Sequence, residues 1–126
     1  CAPSEKPPMG RGFTRAQWEA LKARDQHCVW HGPSCDPDLL VPQHRSGRGM
    51  GGSRLKNHLS NGVAMCSIVN GLIESDAELA AEARVRGVKI SLHADPRMIP
   101  VLYSDGVEYW LTDDGRKVAV GGPQPW

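Results

Sequence analysis

The chain lacks any long hydrophobic run. No stretch approaches the ~18 apolar residues that a membrane helix needs, so a soluble, cytoplasmic protein with no membrane partner is expected. Net charge is nearly absent, at +1 over 126 residues, and by itself neither favours nor disfavours a nucleic-acid partner. The glycine-rich stretch has no Gly-Lys-Ser/Thr behind it, which excludes a P-loop. No signal segment is visible, and with four cysteines in 126 residues the chain is longer than typical disulfide scaffolds. Cys1 as first residue reads as a trimmed or engineered end, with an exported lipoprotein as the alternative.

What is present is globular. Hydrophobic residues make up 40% and charged residues 23%, an ordinary composition for a domain. The length suits one domain, with a modest core that would gain from a metal staple. Residues 1–13 read as a flexible arm, 14–120 as the domain and 121–126 as a disordered tail.

Charge is unevenly placed. Between residues 41 and 60 lie Arg45, Arg48, Arg54, Lys56, His44 and His58, with no acid among them. A basic face on a nearly neutral protein suits a surface that tracks DNA phosphates; the plainer reading is a solvated loop. The glycines at 47, 49, 51 and 52 make this segment a flexible lobe between two strands.

Local signals place the elements. Thr14 and Gln17 form a capping box opening a helix to about Asp25, with Trp18 and Leu21 on one face. Residues 39–44 read as a strand that Pro42 confines to an edge or bulge. Asn61 and Val63 belong to the returning strand, and a helix from about Met65 runs to Glu74, placing Cys66, Asn70 and Glu74 on one face. Ser75 and Glu78 form a second capping box, opening a helix that Gly87 closes. Residues 88–92 alternate as a short strand. The remainder reads as an antiparallel meander with turns at 104–106 and 113–115. Its Tyr109 and Trp110 are core aromatics or, less simply, a stacking surface for bases.

Cys28 and His31, separated by two residues in a turn with Gly32 and Pro33, match half of a zinc knuckle. Cys35 and Cys66 are available to complete a closed tetrahedral Zn²⁺ site. The competing readings are buried free thiols or a Cys28–Cys35 disulfide.

Together, the cysteine knuckle, a strand ending at Gln43-His44, and Asn61 followed by Met65-Cys66 and Asn70 resemble the HNH endonuclease family. The likeness is to its small phage-encoded members and covers residues 14–75. The resemblance implies an α+β fold: a ββα-metal core, here with an N-terminal helix, an additional helix and a C-terminal β-meander. It implies a metal-dependent nuclease that cuts or nicks double-stranded DNA, in the host cytoplasm if phage-encoded. His44 would be the general base and Asn61 would bridge the loop and hold His44. Arg45, Arg48, Arg54 and Lys56 would hold backbone phosphates. The chain departs from the family at two ligand positions. Gln43 replaces an acid or histidine, and Asn70 replaces the last histidine. Their carbonyl oxygens, with Glu74 one turn later, would bind Mg²⁺ or Mn²⁺ weakly. Val69 stands where a cysteine is expected, so Cys35 serves as a stand-in zinc ligand. The same departures suit a second expectation, a non-catalytic DNA-binding module or a partner of phage packaging or replication proteins.

Overall fold

A computed structural model describes residues 12–46 and 58–123. The described chain is mixed α+β, with three helices and two small antiparallel sheets. Helix α1 spans Arg15–Asp25 and opens on the expected capping box: Thr14 Oγ1 accepts from Gln17 N–H, and Gln17 Oε1 accepts from Thr14 N–H. Strand β1 (Leu40–His44) pairs antiparallel with β2 (Gly62–Cys66), with Pro42 opposite Ala64 and His44 opposite Gly62. In a two-stranded sheet β1 has a free edge, which is where a proline does least harm. Every residue of β2 is buried.

Helix α2 (Ser67–Ser75) follows β2 directly, with Cys66 as its N-cap. The helix therefore starts two residues later than expected, because Met65 and Cys66 still pair with Val41 and Leu40. Helix α3 (Ala77–Val85) is capped by Asp76, whose carboxylate accepts from the Glu78 and Leu79 N–H groups. The expected cap, Ser75, instead ends α2. Gly87 closes α3 at φ +78, and a Cβ there would lie 2.1 Å from Pro100 O, so both conformation and space require glycine.

Residues 88–92 are not a strand. Ile90 makes one parallel bridge to Ser46, and the chain turns at once, with Ala94 N–H bonding Ser91 O at 3.0 Å. The meander is as expected: β3 (Val101–Leu102), β4 (Glu108–Leu111) and β5 (Lys117–Ala119), in that order. Its Tyr109 packs edge-on against Tyr103 and lies under the Lys117 ammonium, while its hydroxyl bonds Asp105. That ring is a packing element.

The core joins β2, the inner faces of α2 and α3, the knuckle and the meander, through Val29, Val63, Met65, Val69, Ile73, Val88, Val101 and Leu111. A buried polar centre crosses it. Arg24 makes two bonds to Asp25 (2.7 and 3.0 Å) and one each to the carbonyls of Leu59 (2.9 Å) and Gly62 (2.6 Å). Asp25 also accepts from Ala64 N–H at 2.9 Å and from the Tyr103 hydroxyl. Burial and then the Asp25 carboxylate raise the Tyr103 pKa well above its ordinary value. Helix α1, strand β2 and the meander are thus tied by one ion pair whose neighbours satisfy it.

Phe13, just ahead of the capping box, is 1% exposed, with its ring beside Gly62 and stacked on His44. At the other end, Gly122 N–H bonds Ala119 O. Among the described residues no helix is long and apolar enough to cross a membrane.

Candidate metal centre and cleft

Two sites meet at the β1–β2–α2 unit. The first is the cysteine cluster. Cys28 and His31 lie in the turn after α1, Cys35 follows in the same loop, and Cys66 caps α2. Their ligand atoms all lie within 4.8 Å of one another. His31 Nδ1 is 3.8 Å from Cys28 Sγ and 3.6 Å from Cys66 Sγ. Tetrahedral Zn–S and Zn–N bonds of ~2.3 and ~2.0 Å require S···N edges of roughly 3.5 Å, so the spacing fits a metal with little movement. The three thiols are free, and the Cys28–Cys35 disulfide is not formed. Burial, then neighbouring Cys28 and Cys66, push the Cys35 thiol up to about 12. The backbone holds the cluster together: His31 N–H points at Cys28 Sγ (3.4 Å), and Val29 N–H bonds Ala64 O (2.9 Å).

The second site is a cleft of about 410 Å³ lined by Gln43, His44, Asn70, Glu74, Lys89 and Ile90, together with Pro42 and Arg45. Four residues singled out from sequence therefore converge. The antiparallel pairing places Gln43 and His44 at the end of β1, and the helical repeat stacks Asn70 and Glu74 one turn apart on α2. His44 is half-buried, its ring stacked on Phe13 at 4.4 Å between centroids and 14° between planes. That contact limits how the imidazole can turn. Phe13 was not anticipated, although an apolar residue immediately before a capping box is a known packing signal.

The two amides hold one another. Asn70 Nδ2 donates to Gln43 Oε1 at 3.0 Å, and Gln43 Nε2 donates to Val88 O at 3.1 Å. Glu74 is exposed and pairs with Lys89 Nζ at 3.7 Å, a cation that the sequence reading did not connect to this site. Asn61 is fully buried in the 3-10 turn Leu59–Asn61. Its Oδ1 accepts from Ser46 N–H (2.9 Å), its Nδ2 donates to Ser46 O (3.2 Å), and its carbonyl accepts from Arg45 N–H (2.8 Å). It clamps the backbone of Arg45 and Ser46, just beyond His44.

Arg45 is not a phosphate contact. Its side chain is 1% exposed, and its guanidinium donates to the carbonyls of Gly87, Ser60, Pro96 and Ile99. Four of its five N–H groups are on carbonyls, and burial keeps the whole cation out of reach of DNA. Arg48, Arg54 and Lys56, with the glycine-rich lobe, lie outside the described residues.

In comparisons with known proteins, no protein-family model, no curated protein and no solved structure matches this chain. The functional reading rests on the residues themselves.

Proposed function

We propose that the chain is a metal-dependent endonuclease of HNH type, cutting or nicking double-stranded DNA on a ββα-metal core made of β1, β2 and α2. The observation that carries this reading is the shared cleft. His44, at the end of β1, lines the same cleft as Gln43, Asn70 and Glu74, whose side chains carry oxygen. Neutral imidazole titrates near working pH, the property a general base needs. His44 takes one proton from a water as its oxygen attacks phosphorus; the opposite P–O bond breaks, and the departing oxygen takes a proton from solvent. Phe13 and the Asn61 clamp keep the ring and its backbone in place.

The donor set fits a hard divalent ion, because it is all oxygen and includes one carboxylate. Asn70 Oδ1 accepts no hydrogen bond among the described residues. Mg²⁺ or Mn²⁺ held there would supply charge stabilisation at the phosphate and the leaving oxygen. The cysteine cluster, with three sulfurs and one imidazole, fits structural Zn²⁺.

The mutual bond of Gln43 and Asn70 favours a second reading, an HNH-type module that binds DNA or docks in a phage machine without cutting. Both amides are already partnered, and neither is charged. Supercoiled plasmid incubated with Mg²⁺ or Mn²⁺ distinguishes the two. Nicking by the wild type, reduced at least about a hundredfold in His44→Ala, supports the nuclease. DNA binding with no nicking by either protein supports the module.

A further inference from the structure

The cleft contains a charge that the hydrolytic scheme leaves unused. Lys89 lines it, and its amine rests on Glu74 at 3.7 Å, with side-chain exposures of 35% and 72%. The backbone around Lys89 is anchored on each side. Val88 O accepts from Gln43 Nε2, Lys89 N–H bonds Ala83 O at 3.2 Å, and Ile90 N–H bonds Arg45 O at 2.8 Å. A flexible amine thus extends from a fixed segment beside the strand that carries His44.

Charge decides what this arrangement receives first. Among the side chains lining the cleft, Glu74 is the one acid, while Lys89 and Arg45 are cationic. Arg45 is occupied by carbonyls, so it adds positive potential but no contact. Glu74 is neutralised in advance, and the two amides bond one another. A divalent cation therefore meets a poor site. A phosphodiester meets an exchangeable ammonium, because a solvent-exposed pair at this distance holds weakly.

We infer that Lys89 is a phosphate-binding positioning residue that exchanges partners. In the free protein it rests on Glu74. A DNA phosphate entering the cleft takes the ammonium through hydrogen bonds to its non-bridging oxygens and releases the carboxylate beside Asn70. Substrate thus precedes the divalent ion, and each strengthens binding of the other. This rests on the nuclease reading of the same cleft, but its test is separable from it.

The test measures binding of a short labelled duplex in EDTA across a salt series. It also measures Mn²⁺ binding by electron paramagnetic resonance, with and without that duplex, in a His44→Ala background that keeps DNA intact. Lys89→Ala should weaken metal-free binding about fivefold and lower the log–log salt slope by about 1, as for one lost phosphate contact. Lys89→Arg should retain both. Glu74→Gln should tighten metal-free binding about twofold by releasing the lysine, while weakening Mn²⁺ binding to the complex. Melting temperatures equal to wild type separate these effects from misfolding. Unchanged affinity and slope in Lys89→Ala, or Mn²⁺ binding indifferent to DNA, overturns the inference. If the wild type also nicks plasmid, that result leaves the nuclease standing. Lys89-dependent binding without nicking removes the nuclease and leaves the phosphate site. No metal-free binding by the wild type overturns the exchange outright.

Discussion

Arg45 illustrates how little a residue type says without its surroundings. Beside His44 in a basic stretch it reads as a phosphate contact, yet its donors go to carbonyls from Ser60, Gly87, Pro96 and Ile99. Burial, followed by the nearby charge of Arg24, lowers its pKa to about 9, which leaves it cationic at neutral pH. The guanidinium gathers three separate chain segments behind the cleft. Arg45→Met should strand those carbonyls and cost about 3–5 kcal/mol in urea unfolding. Measured on the folded fraction, the salt slope of DNA binding should stay that of the wild type, because no phosphate contact is lost. A smaller slope with full stability would return Arg45 to the DNA surface. The other buried cation, Arg24, differs in having a carboxylate partner in Asp25, and its pKa is raised on balance although burial opposes this.

At the scale of elements, the hairpin register sets what surrounds the His44 imidazole. His44 lies opposite Gly62, and the missing side chain there gives Phe13 its place. A Cβ on Gly62 would lie 2.6 Å from Phe13 Cζ and 2.9 Å from Leu21 Cδ1. The backbone at this position is extended, at φ -125 and ψ 149, so space rather than conformation requires glycine. Gly62→Ala should cost about 1–2 kcal/mol by overpacking and displace Phe13, which stacks on the His44 ring. Nicking should fall by more than the loss of folded protein explains, with thermal melting and plasmid cleavage measured on one preparation. Equal losses would make Phe13 a packing residue alone. The Thr14–Gln17 cap and the turns at 104–106 and 113–115 were legible because their bonds are local. The 88–92 segment was not, since its one bridge depends on where Ser46 arrives from a distant part of the chain. Neighbouring Ser75 and Asp76 are both good caps, and choosing between them needed the actual end of α2. The Cys28, His31, Cys35 and Cys66 set was readable from ligand chemistry, whereas the Gln43–Asn70 bond and the Glu74–Lys89 pair needed the folded arrangement.

For the molecule as a whole, the cysteine cluster links parts with few other reasons to stay together. The loop from Cys28 to Asp36 contains no helix or strand, only a Cys28–Gly32 bridge. It docks on β2 through Val29 and on the start of α2 through Cys66. Trp30, between the first two ligands, stacks under Arg86 at 4.1 Å and so reaches the end of α3. A metal there would fasten α1, the β1–β2 pair, α2 and α3 at one point, and its binding energy would appear as folding energy. With zinc at about a thousand times its dissociation constant the stabilisation is about 4 kcal/mol, or roughly 10–20 °C in melting temperature for a domain of this size. Protein made without added metal should therefore carry one zinc per chain by elemental analysis. A strong chelator should lower its melting temperature by that amount, and Cys66→Ser should do so without chelator. Asp25→Ala provides the contrast, costing about 3–5 kcal/mol by leaving Arg24 buried and unpaired while the zinc content stays at one. A zinc-free preparation that melts at the same temperature with and without chelator would make the four side chains a packed thiol cluster, and the knuckle would owe its shape to Val29 and Trp30.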